Sequence, residues 1–194
     1  LIESMNKSLE DALKNGYISK ENGKYKQESA EKLAELIKQA EQKLNQGNLT
    51  REERATIMAE LKKAEEALEV YIKQLKDIEA GKLELDKLIE EAEMLLLNAL
   101  EKGNISKDAN GEYNNEYANM LAVLIEKAKQ MKQSGNYDLD ALTKLLAELK
   151  VVKTNFKESV EQKDNGLGSG NTEGSQLDKS KLGTVIANAQ AAVD

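Results

Sequence analysis

The sequence predicts an all-α chain of tandem antiparallel three-helix bundles, with a minimal β-hairpin arm between the first and second helices of each. Three observations predict it. The 194 residues include no Pro, Cys, His or Trp, while Leu, Ala, Glu, Lys and Gln, which lose little side-chain freedom in a helix, are abundant. The stretch "ALKNGYISKENGKY" at 12 to 25 returns as "ALEKGNISKDANGEY" at 99 to 113. Apolar residues recur at intervals of three and four along most of the chain, and strand-length runs of Val, Ile and Thr are missing.

The duplication is in tandem. Gly16 and Ile18 fall on Gly103 and Ile105, 87 positions on, and Tyr25 falls on Tyr113 after one inserted residue. The new shift of 88 then carries Leu33, Leu36, Ile37 and Ala40 onto Leu121, Leu124, Ile125 and Ala128. It also carries Ala59-Glu60-Leu61-Lys62 onto Ala147-Glu148-Leu149-Lys150. Read backwards, Leu1-Ile2 matches Leu88-Ile89, so copy one is expected to lack the opening of its first helix. With Leu1 in place of Met and no signal-peptide pattern, a mature form or an excised fragment is expected, the repeat phase favouring the fragment.

Copy one spans 1–80 and copy two 83–163. The first helix is plainest in copy two, through Leu85, Leu88, Ile89, Ala92, Leu96 and Ala99, and stops at Gly103, as its counterpart stops at Gly16, where a left-handed residue is wanted. Asn22-Gly23 and Asn110-Gly111 are tight-turn signals between Ile and Tyr, giving the hairpin arm, with Ile and Tyr expected to cover one bundle end. The second helix carries Leu121, Leu124, Ile125 and Ala128. Thr50-Arg51-Glu52-Glu53 is a capping box that opens the third helix of copy one, and Asp138 takes the same place in copy two. The third stripe runs through Met58, Leu61, Ala64, Leu68 and Ile72, and in copy two through Leu142, Leu145, Leu149, Val152, Phe156 and Val160. Between the copies, only Gly81 interrupts a helical reading, so the junction is expected to be short and stiff. Residues 164–176, "DNGLGSGNTEGSQ", read as a flexible linker. Residues 177–194 repeat the spacing of a first helix through Leu182, Val185, Ile186 and Ala189, as a truncated third copy would.

A formal charge of −7 with Lys and Glu interleaved argues against a nucleic-acid surface, which needs a clustered basic face. No apolar run is long enough to cross a bilayer, so no membrane insertion is expected. Without Cys there is no disulfide framework or thiolate chemistry, and without His the commonest base is missing. The many Glu pairs lie on solvated helix faces. No enzyme and no cofactor are expected. Ser106, Asp108 and Asn110, followed by Gly111, resemble the start of a calcium loop, but position twelve is Tyr117 where Glu is required, so a plain turn is the stronger reading. Gly166, Gly168 and Gly170 lack the strand and helix of a nucleotide loop. Packing is the first role of tyrosines in so aromatic-poor a chain, and Tyr117, Tyr137 and Tyr17 are the candidates for contact with a sugar or partner.

Residues 23 to 68, "GKYKQESAEKLAELIKQAEQKLNQGNLTREERATIMAELKKAEEAL", resemble the FIVAR module ("found in various architectures"). They share its Tyr turn, its helix spaced as Leu33, Ile37, Ala40 and Leu44, its Asn/Gly loop and its capped third helix. "LDKSKLGTVIANAQAAVD", 177 to 194, resembles the module's opening helix. The chain departs in its longer arms, 17–24 and 104–112, and in Ser29, where an aromatic is common and copy two has Tyr117. The resemblance implies an extracellular, bacterial cell-surface accessory module that spaces neighbouring domains of a larger chain and binds host protein or glycan. A dedicated helix-face binder of a host serum protein is the alternative, and a carboxylate-based enzyme fragment with a cleft near Gly81 the third reading. A binder should expose an apolar patch on one bundle; a spacer should not.

Overall fold

The computed structural model describes residues 1–164. Asp164, expected to open the linker, is still helical; the rest of that expected linker, 165–176, and the third-copy helix at 177–194 lie outside the described residues. The described chain is almost all helix: α1 (Ile2–Lys14), α2 (Glu28–Asn45), α3 (Arg51–Glu101), α4 (Glu116–Ser134) and α5 (Leu139–Asp164), with a short hairpin, β1 (Lys20–Glu21) and β2 (Lys24–Tyr25), after α1. The chain divides into two units, Leu1–Asp77 and Ile78–Asp194.

In the first unit Met5, Leu9 and Ala12 of α1 are buried with Leu33, Ile37 and Ala40 of α2 and Leu61, Ala64 and Leu68 of α3, and Ile18 of the arm closes one end. The stripe differs from expectation at its start. Met58 is 48% exposed, and Ile57 packs against the core in its place. Measured from Leu61, Ile57 stands four residues back and Met58 three, and the helix turns the four-spaced side chain inward here.

In the second unit the core joins Leu85, Ile89, Ala92 and Leu96 of α3 to Leu121 and Ile125 of α4 and to Leu142, Leu145, Leu149 and Phe156 of α5. Ion pairs hold this register: Lys129 to Glu93 at 2.6 Å, Lys132 to Asp86 at 2.5 Å and Lys150 to Glu84 at 2.7 Å. Lys153 also pairs with Glu91. Such exposed pairs contribute about 0–1 kcal/mol each, so they select alignment more than they supply stability.

Gly81 interrupts nothing. It lies inside α3, buried, where a Cβ would stand 2.6 Å from Leu142 Cδ2. The missing side chain makes room for Leu142 and Leu146 of α5, so the residue that reads as a break is a contact point.

Candidate functional site

The arms are the most similar parts of the two copies. Gly16 (φ 75°) and Gly103 (φ 72°) take the left-handed conformation. In copy one, Tyr17 donates its amide to the Ala12 carbonyl at 3.0 Å and Gly16 to Leu13 at 3.1 Å; in copy two, Asn104 donates to Ala99 at 2.9 Å and Gly103 to Leu100 at 3.0 Å. Each set is a Schellman closure, which satisfies the last helical carbonyls and turns Ile18 or Ile105 into the core.

The turns then differ by the inserted residue. In copy one Lys20 pairs with Tyr25 and Glu21 with Lys24, across Asn22 (φ 53°) and Gly23 (φ 82°), both left-handed as a two-residue turn of this hand requires. In copy two Lys107 pairs with Tyr113, but Ala109 lengthens the loop. Gly111 now donates to the Asp108 carbonyl at 3.1 Å and Asp108 to the Glu112 carbonyl at 2.8 Å, a three-residue loop with Gly111 in the left-handed bulge position. The arm is then tied to the following helix. The Tyr25 amide donates to Glu31 at 2.6 Å; the Tyr113 amide donates to Asn119 Oδ1 at 2.7 Å, and Asn119 Nδ2 returns a bond to the Tyr113 carbonyl at 2.8 Å.

Asp108 Oδ1 accepts the amides of Asn110 and Glu112, each at 2.9 Å, so this oxygen shapes the turn. Ser106 lies at the loop's entrance, where its amide donates to Asn114 at 2.9 Å. Among the described residues no group of three or more His, Cys, Asp or Glu is placed to hold a metal.

The three candidate tyrosines are not gathered into one site. Tyr117, in the first turn of α4, and Tyr137, beyond its last residue, are half-buried against the second core at opposite ends of that helix. Lys82 Nζ lies 4.7 Å from the Tyr137 ring centre. Tyr17 is half-buried in the first unit, with Lys76 Nζ 5.2 Å from its ring centre.

The structure instead brings together residues that the sequence reading took for packing and turn positions, such as Leu100 and Tyr113, with others it did not single out, such as Val123 and Lys129. In the second unit the end of α3, the arm and the start of α4 line an open groove of about 860 Å³. Its apolar walls are Leu97 and Leu100 of α3 and Ala122 and Val123 of α4; Lys107, Tyr113 and Asn119 close one end, and Glu93, Glu126 and Lys129 edge the other. The hydrogen bond from Lys129 to Glu93 holds that ammonium above the usual lysine value. Leu97 is 55% and Val123 67% exposed, and Met94, one turn before Leu97, is 63% exposed. At the repeat-equivalent positions copy one has Glu10, Glu35 and Lys7. The signal was therefore present in the sequence, in the positions where the copies disagree.

No helix among the described residues is long and apolar enough to cross a membrane. No family model matches the chain, and no curated protein or solved structure matches it either.

Proposed function

We infer that the chain is a non-catalytic accessory module of a bacterial cell-surface or secreted protein, FIVAR-like in kind. Each copy is an antiparallel three-helix bundle, which spaces neighbouring domains, and the second copy also presents a face for host protein or glycan. One observation carries the reading. The copies keep the same helix closure, arm and buried Ile, yet at exposed positions copy two replaces Lys7, Glu10 and Glu35 with Met94, Leu97 and Val123. Exposed aliphatic clusters on one copy of a duplicated scaffold are a mark of recognition, because the fold is built equally well with charges there. The spacing role is supported by α3, which continues as one helix from Arg51 to Glu101 through the repeat boundary.

The same exposed face favours a second reading, a dedicated helix-face binder of a host serum protein. Binding of the 194-residue chain to a panel of glycans and of host matrix and serum proteins separates the readings. Saturable binding confined to one serum protein selects the second, and binding of a matrix protein or glycan supports the first. No binding at all ends the recognition claim and leaves spacing alone.

A further inference from the structure

The α3 and α4 groove of the second unit combines apolar walls with an excess of carboxylates. Glu93, Glu112 and Glu126 line it against Lys107 and Lys129. Lys129 is already shared between Glu93 at 2.6 Å and Glu126 at 3.7 Å, and Lys107 lies over the Tyr113 ring, 4.6 Å from its centre. Glu112, at the groove's arm end, forms no ion pair among the described residues.

These facts select among partners. Phosphate backbones and anionic lipid surfaces are repelled by such a rim. A sugar stacks on an open aromatic face, and the one ring in this groove, Tyr113, is covered by Lys107. A protein helix is the fitting shape, since a furrow between two helices accepts side chains spaced three and four apart. Leu97 and Val123 are the anchors that copy two has and copy one, with Glu10 and Glu35, has not. Three carboxylates against two lysines, with Glu112 unpaired, call for basic flanks. The chain's own 177–194 segment does not supply them, because Lys179 and Lys181 are balanced by Asp178 and Asp194.

We propose that this groove is a docking site for a basic amphipathic helix of a partner protein. The proposal rests on the reading of copy two as a recognition element and names the class of its partner. The test titrates the whole 194-residue chain with two synthetic helices of about 18 residues, five turns. They share a leucine face and differ in having lysine or glutamate on the polar face. Calorimetry is expected to show saturable one-to-one binding of the lysine peptide and at least tenfold weaker binding of the glutamate peptide. The Leu97→Glu/Val123→Glu chain, which installs the residues of copy one, should bind the lysine peptide at least tenfold more weakly.

That variant is the more acidic protein, so mere charge attraction predicts the opposite, and equal or tighter binding by it overturns the proposal. A neutral Leu97→Ser/Val123→Ser chain gives the same test should the first variant lose its helical signal. A wild-type dimer that the variant abolishes would make a second copy the occupant and overturn the proposal. A tenfold gain in peptide affinity on removing 177–194 would make that segment the occupant, with the same consequence. If a host protein binds wild type and variant alike, this groove is excluded while the wider recognition reading stands.

Discussion

At Gly81 a single absent methyl group leaves room for the Leu142 side chain of α5. Gly81→Ala would gain about 1 kcal/mol in helix propensity, but its Cβ would fall 2.6 Å from Leu142 Cδ2, in a leucine that is itself buried. Overpacking costs about 1–3 kcal/mol, so a net loss of about 1 kcal/mol is expected in urea unfolding, relieved by adding Leu142→Ala's space at its own cavity cost. A gain in stability would show that Leu142 moves aside freely. Glu53 gives a second residue-scale prediction. The Thr50 amide donates to its carboxylate at 2.8 Å and the Glu53 amide donates to Thr50 Oγ1 at 3.1 Å, and the amide bond holds Glu53 below its ordinary 4.5. A carboxyl lowered in the folded state stabilises above its unfolded value and ceases to do so as pH falls through the folded one. Glu53→Ala should therefore be less stable than wild type at pH 7, with the gap closing from pH 4.5 downward. A gap that does not change with pH would assign the effect to the side chain's packing or helix propensity. The sequence made this cap legible because a capping box is local chemistry. It misread Met58 and Gly81 because the facing helix decides which neighbouring side chain turns inward and where a bare Cα is needed.

The arm is the element in which sequence and structure can be compared step by step. Gly16, Gly103 and the Asn-Gly pairs are legible because positive φ is a property of single residues. The consequence of Ala109 was not, since an inserted residue can be absorbed by slippage, by a bulge or by a longer turn. Here the strand partners are kept, Lys20 with Tyr25 and Lys107 with Tyr113, and the loop changes type. Deleting Ala109 should therefore restore the two-residue turn of copy one, with unfolding free energy changed by less than about 0.5 kcal/mol. Gly111→Ala, at φ 85°, should cost about 1 kcal/mol. Both follow from urea unfolding, and a deletion that costs more than the glycine change would mean that the insert holds Tyr113 in place. The groove beside this arm stayed hidden for a different reason. Leu97 and Val123 lie off the apolar stripes of α3 and α4, with Glu93 and Glu101 or Asn119 and Lys127 four residues away, so each reads alone as a scattered surface residue, and only the packing of α3 against α4 sets them side by side.

The buried core residues described fall into two clusters, one in each unit, and that sets where the chain can be cut. All buried core residues described for the second unit lie between Leu85 and Phe156, so the sequence-derived boundary at 83 encloses them. Two further residues matter: Ile78 packs against that core, and Gly81 is the contact point for Leu142. A fragment starting at 83 removes both, taking Ile78 from the core and exposing the side of Leu142 and Leu146 that faces Gly81. Burial of part of an isoleucine contributes about 1 kcal/mol, and fraying of the newly made helix end adds to the loss. Residues 78–164 alone should therefore stay helical and unfold in one cooperative urea transition. Residues 83–163 should do the same at a lower midpoint, by about 1–2 kcal/mol. If both fragments are unfolded, the second core depends on the first unit despite drawing no buried residue from it. Equal midpoints would mean that α3 before Leu83 passes through without supporting this core, and the continuity of the helix would then serve the connection between copies alone.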